Sequence, residues 1–140
     1  MTDISKLTRE QRKLAEDTLH GLPFAQLMGM RLDDLQQNES VIKIEMRDDL
    51  RQPHGVLHGG VTATLIDTAM AFAVITRLAP DEKATTVDLT VHYLRPHLEG
   101  TLICTAKVVR AGKRILTVSA DVVNSENKHI ATAISTYTKV

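Results

Sequence analysis

Asp67 is the only charged residue between His58 and Arg77, in a segment otherwise rich in Ala, Val, Ile, Leu, Met and Thr. Burying an unpaired carboxylate costs several kcal/mol, a large share of the stability of a small domain. Three readings of such an acid are open. It is a structural acid bonded to a nearby donor, it lies on a narrow polar stripe with Thr64 and Thr68, or it does chemistry. Just upstream runs Gln52-Pro-His-Gly-Val-Leu-His58-Gly59-Gly60. Glycines ahead of a helix let a ligand approach the main chain closely. The first turn of a helix carries unpaired N–H groups and the positive end of the dipole, which can hold a carbonyl oxygen as it gains negative charge. The glycine pair taken alone reads equally well as a tight turn.

Spacing constrains how these groups cooperate. Gly59 and Asp67 are eight residues apart, roughly 12 Å along a helix. An acid at one position does not reach a carbonyl held at the N-terminus of its own helix. If both act on one substrate, the acid comes from a neighbouring subunit's antiparallel helix.

The elements that position these groups follow from patterning. Thr8 to Leu19 reads as a short surface helix with Thr8 as N-cap, and Pro23 to Met30 as a second one, broken by Gly29. Val41 to Met46 alternates as a half-buried strand. Leu50 to Gly60 is a loop, and Val61 to Leu78 a helix that is apolar on nearly every side, as core helices are. After Pro80 the chain reads as strands: Thr86 to Leu94 with Val87, Leu89, Val91 and Tyr93 on one face, then Leu102 to Val109, Ile115 to Val123 and Ile130 to Thr138 as a meander. A helix buried all round needs a sheet curved about it. Residues 1–22 read as an N-terminal helical extension and 23–140 as the domain proper.

Composition narrows the function classes. Seventeen basic and seventeen acidic residues give a net charge of zero, so charge makes no case for a nucleic-acid or membrane partner. A single cysteine, Cys104, rules out an intrachain disulfide, and His and Cys do not cluster at metal-ligand spacing. The first twenty residues lack the apolar core of a signal peptide, so the cytoplasm is the expected compartment. His54 reads as a solvated loop residue, and His92, His97 and His129 as structural or exposed.

Gln52 to Ala73 resembles the hotdog thioesterases of the phenylacetate-degradation and 4-hydroxybenzoyl-CoA thioesterase group. Their signature is Asn or Gln, a His-Gly-Gly turn, then Asp or Glu inside the following helix; here these are Gln52, His58-Gly59-Gly60 and Asp67. Thr86 to Pro96, ending Tyr-Leu-Arg-Pro, is similar to the family's next strand, and the resemblance runs from about Phe24 to Val140. It implies an α+β hotdog fold, a curved antiparallel sheet wrapped around a long central helix, assembled as a homodimer or as a tetramer of such dimers. It implies hydrolysis of acyl-CoA or aryl-CoA thioesters, with no metal and no cofactor beyond the coenzyme A of the substrate.

By the same resemblance, the Gly59 N–H polarises the thioester carbonyl with Gly60 beside it, and Gln52 orients substrate or water. His58 supports the turn and bonds the thioester oxygen or sulfur. Asp67 is general base or nucleophile, and Thr86, or its neighbour Thr85, positions water. Met70, Val74 and Phe72 would line an apolar acyl or aryl pocket. Arg95, Lys113 and Arg114 would meet the phosphates of coenzyme A or stand as solvated charges. Gln52 with Asp67 mixes two family variants, Gln with Glu and Asn with Asp, and Asp is one methylene shorter than Glu. A carrier-protein thioester is an alternative substrate. A hotdog dehydratase or hydratase is the rival enzyme, and a non-catalytic acyl-CoA sensor, expected to carry a fused effector domain, is the rival binding protein.

Overall fold

The computed structural model describes residues 7–140; the part of the expected N-terminal extension that falls on residues 1–6 lies outside the described residues. Six strands form one antiparallel sheet in the order β1-β2-β4-β5-β6-β3. They are β1 (Arg31–Gln36), β2 (Glu39–Glu45), β3 (Ala84–Tyr93), β4 (Thr101–Ala111), β5 (Ile115–Asn124) and β6 (His129–Lys139). The helices are α1 (Arg9–Gly21), α2 (Pro23–Met28) and α3 (Gly59–Ile75). α3 touches every strand, which a flat sheet does not permit. The sheet wraps the helix, and this is the hotdog fold.

The inner faces of the strands supply the core. Ile42 and Ile44 of β2, Leu102, Cys104 and Ala106 of β4, and Leu116, Val118, Ala120 and Val122 of β5 are buried against Leu65, Ile66, Ala69, Met70 and Ala73 of α3. Alternation along these strands is what sends one residue in two inward. α1 begins at a capping box, with Thr8 Oγ1 accepting from the Gln11 N–H and Gln11 Oε1 accepting from the Thr8 N–H. It buries Ala15 and Leu19 and leaves Leu14 exposed. An Arg12–Asp34 ion pair at 2.7 Å joins it to β1. α2 ends at Gly29, whose φ of +75° is the left-handed cap that glycine takes readily.

Four expectations need correction. β1 was not foreseen. A bulge between Leu32 and Asp34 puts its two leucines three apart instead of two, and two aspartates weaken its strand character. The last four strands are not a simple meander: β4, β5 and β6 are, but β3 lies outside β6, and β2 takes the place beside β4. The segment Leu94–Gly100 carries the chain across the end of the sheet, past β6 and β5, to β4. α3 starts at Gly59, so the glycines open the helix instead of preceding it, and it stops at Ile75, where Thr76 donates to the Ala73 carbonyl.

α3 is not buried all round. Ala63, Thr64, Asp67, Thr68 and Ala71 are half-buried, and Ile75 is exposed. Successive members are three, four or one residues apart, so they form one stripe along the helix. The sheet covers the opposite face. Asp67 thus shares a stripe with Thr64 and Thr68, half-buried and not exposed.

Candidate active site

The loop before α3 is built from its own polar groups. Arg51 pairs with Leu57 in an isolated β-bridge. Its guanidinium donates to the carbonyls of Gly55 and Leu98 at 2.8 Å each and bonds Asp48 and Glu99. Five donors in one planar fork suit such a junction. The Gln52 N–H donates to the Val56 carbonyl at 2.9 Å, and Gln52 Oε1 accepts the N–H of His54.

The His-Gly-Gly turn has a specific physical reason. His58 is the N-cap of α3, and its Nδ1 accepts the Gly60 N–H at 2.8 Å. A Cβ on Gly60 would stand 3.0 Å from that nitrogen. A Cβ on Gly59 would stand 3.3 Å from the ring of Tyr93, whose hydroxyl donates to the Gly59 carbonyl at 2.9 Å. Each glycine thus has a ring folded over it. Among the described residues the Gly59 N–H has no acceptor, as expected of the first helical position.

Gly59, Gln52 and Arg95 line one groove of about 350 Å³, together with Leu57, Tyr93, Leu94 and Ile130. The groove is mostly apolar, with an unpaired main-chain donor and an amide at its wall. Ligand sites have this character.

Asp67 lies elsewhere on the helix, held by groups from two strands. Its Oδ1 accepts from Thr86 Oγ1 and from the Tyr137 hydroxyl, both at 2.9 Å. The same hydroxyl is 2.9 Å from the Asp67 main-chain carbonyl. Oδ2 has no hydrogen bond among the described residues, and it is not a buried orphan. Tyr137 itself is buried. Burial above all, then the charge of and hydrogen bond to Asp67, push its phenol well above the ordinary range. It therefore stays protonated and donates.

A bulge decides between Thr85 and Thr86. Thr86 pairs with Tyr137 and Asp88 with Thr136, so Val87 is the extra residue of β3. Thr86 then shares the inner face with Leu89 and Val91. Val87, expected on that face, is exposed, and so is Thr85. Without the bulge, counting in twos from Leu89 would put Thr85 inward in its place.

Other expected site residues fall apart in space. Met70 and Val74 are fully buried in the core and line neither the Gly59 groove nor the one beneath α1. Phe72, with Ile75, faces a separate groove beneath α1. Arg95 lies at the Gly59 end, whereas the turn carrying Lys113 and Arg114 lies at the opposite end, where the Arg114 carbonyl accepts from the Lys139 N–H at 2.8 Å. His97 is buried and structural, its Nε2 being 3.1 Å from the Gly100 carbonyl. His129 pairs with Asp121, and His54 and His92 are exposed, in line with the sequence reading. Sequence reasoning missed Tyr137 and Arg51. Tyr137 had a faint signal, a lone aromatic ring with a polar tip at an inward position of an alternating strand.

A sheet wrapped on one helix, with a His-Gly-Gly start and a clamped acid inside it, defines a hotdog thioester hydrolase. The family model of the thioesterase superfamily matches residues 54–131, and the chain belongs to that family. It is 35% identical over 123 residues to a putative esterase of Halobacterium salinarum, covering 80% of each chain. It is 28% identical to the medium/long-chain acyl-CoA thioesterase YigI of Escherichia coli, covering 94% of this chain and 96% of that one. Its fold matches the PaaI protein of the E. coli phenylacetic acid degradation operon, with a TM-score of 0.84 at 24% identity over 91% of each chain.

Proposed function

We propose that the chain hydrolyses acyl-CoA thioesters at a site completed by two copies of itself. The observation that carries the reading is the Asp67 carboxylate: one oxygen is held by two hydroxyls, the other has no partner among the described residues, and the group lies on the stripe of α3 that is only half-buried. The resemblance to YigI, a medium/long-chain acyl-CoA thioesterase, supports an acyl-CoA substrate.

In this scheme the thioester carbonyl rests in the groove against the Gly59 N–H, which stabilises the oxyanion as charge develops. Asp67 Oδ2 takes the proton of an attacking water, or attacks the carbonyl carbon itself and is released by water. Gln52 orients the water or the thioester. Collapse of the tetrahedral intermediate breaks the C–S bond, giving the free acid and coenzyme A. Water is the only co-reactant. Hydrolysis in labelled water under single turnover reports on the routes: label enters Asp67 only by direct attack followed by water opening the anhydride at the Asp67 carbonyl.

The site is shared because Gly59 and Asp67 lie about 12 Å apart on one straight helix. A twofold axis between antiparallel copies of α3 brings Gly59 of one copy toward Asp67 of the other. It also covers the half-buried stripe and pairs the open edge of β3 with its copy. The assembly is a homodimer or a tetramer of such dimers, working in the cytoplasm. Among the described residues no helix is long and apolar enough to cross a membrane.

Free-thiol release across a panel of saturated acyl-CoAs and aryl-CoAs tests the activity, with Asp67→Asn as control. Cys104 is buried and its thiol pushed up by burial and by Asp121, so the folded protein adds no thiol signal of its own. Hydrolysis by the wild type and its loss in the variant support the proposal. No hydrolysis of any member of the panel contradicts it.

A further inference from the structure

We infer that Tyr137 is a positioning residue for hydrolysis, its phenol and the Thr86 hydroxyl together holding Oδ1 of Asp67 so that Oδ2 alone faces the substrate. The inference rests on the reading of Asp67 as the reacting acid. Tyr137 is 70 residues from Asp67 in sequence and reaches it from β6, while Thr86 reaches it from β3. These are neighbouring strands in direct register, Thr86 opposite Tyr137. The two donors therefore converge from adjacent inner positions on one oxygen.

A tyrosine hydroxyl has one proton, and here two acceptors lie at 2.9 Å, the main-chain carbonyl and Oδ1 of Asp67. That carbonyl, inside α3, already serves as acceptor for the helical N–H four residues on. The carboxylate carries the charge, and bonds to a charged acceptor are the stronger ones. The proton therefore goes to Oδ1. Because the phenol is buried and held in its neutral form, it acts as a fixed donor. A carboxylate with only Thr86 on it could turn about its last bond and exchange its oxygens. With a second donor from the far side of the register pair, rotation breaks two bonds at once.

The rival role is a tether, in which the phenol serves only to pin β6 to α3 through the main-chain carbonyl. The two roles separate in kinetics. Tyr137→Phe keeps the ring and its packing and deletes only the hydroxyl. The experiment measures kcat, KM and Tm for wild type, Tyr137→Phe, Thr86→Val, the double variant and Asp67→Asn, each assayed well below its melting transition. Positioning predicts a fall in kcat of about tenfold for Tyr137→Phe with KM within about twofold, the loss expected when one bond to a charged group is removed. The double variant should fall about a hundredfold or more and approach Asp67→Asn. A kcat within twofold of wild type in Tyr137→Phe, at any Tm, overturns the inference and leaves a tether. If Asp67→Asn itself turns over normally, the underlying reading of Asp67 fails instead, so the two failures are distinguishable.

Discussion

The two ends of the proposed chemistry are built in opposite ways. The Gly59 end is assembled locally: His58 caps Gly60, Gln52 closes its own loop, and Arg51 ties the turn down, all within a short stretch of chain. From elsewhere, residues 93–97 and Ile130 complete its groove, and Leu98 and Glu99 take bonds from Arg51. The Asp67 end is assembled from afar, by a hydroxyl from β3 and a phenol from β6. Local assembly leaves a motif that can be read in sequence. Distant assembly leaves only the acid visible and hides what holds it. The first end offers a main-chain donor that no side-chain substitution removes except proline. The second depends on side chains that can each be deleted.

The largest expected effect tests the distant end. Asp67→Asn keeps the shape and the hydrogen-bonding capacity but loses the base or nucleophile, so turnover should fall by at least about a hundredfold with the melting temperature little changed. Near wild-type turnover in the folded variant would remove Asp67 from the mechanism. The two threonines sharpen the point. Thr86→Val should lower kcat about tenfold through loss of one bond to a charged acceptor, whereas Thr85→Val, on the outer face, should leave it unchanged. Equal effects would mean that the bulge does not set the face.

At the local end, Gln52→Ala should reduce kcat less than Asp67→Asn does and leave KM nearly constant, because orientation is lost and no bond-making group is. A variant that fails to fold would recast Gln52 as a loop-building residue. The smallest effect belongs to His58. His58→Ala removes the cap of α3 and should cost about 1 kcal/mol of stability, and His58→Asn should restore most of it. A hundredfold loss of kcat in both variants would instead give His58 a chemical role beyond the cap.

This contrast explains what could be read in advance. The lone acid, the glycine turn, the long helix and the strands Val41–Met46 and Ile115–Val123 follow from residue type and period, and all lie where period survives. Bulges break the period. The one in β1 hid a strand, and the one in β3 reversed the facing of Val87 and delivered Thr86 to Asp67. Register between β3 and β6 is a property of the folded sheet, so Tyr137 could not be matched to Asp67 from spacing. The full burial of Met70 and Val74 was not legible for a similar reason: α3 has little polar contrast around its axis, so residue type did not separate its covered side from its half-covered one.

The central claim is that Gly59 of one copy works with Asp67 of another, and subunit mixing tests it most directly. Gly59→Pro deletes the N–H donor while keeping a residue suited to the first helical position. His58, with φ −62° and ψ 129°, already has the backbone that precedes a proline. Asp67→Asn deletes the acid. Each variant alone should be inactive. After exchange at equal amounts, half of the dimers should be mixed, each with one site carrying both lesions and one carrying neither, so activity should return to about a quarter of the wild-type level. No recovery in proven heterodimers, or full activity in a monomer, would contradict the account.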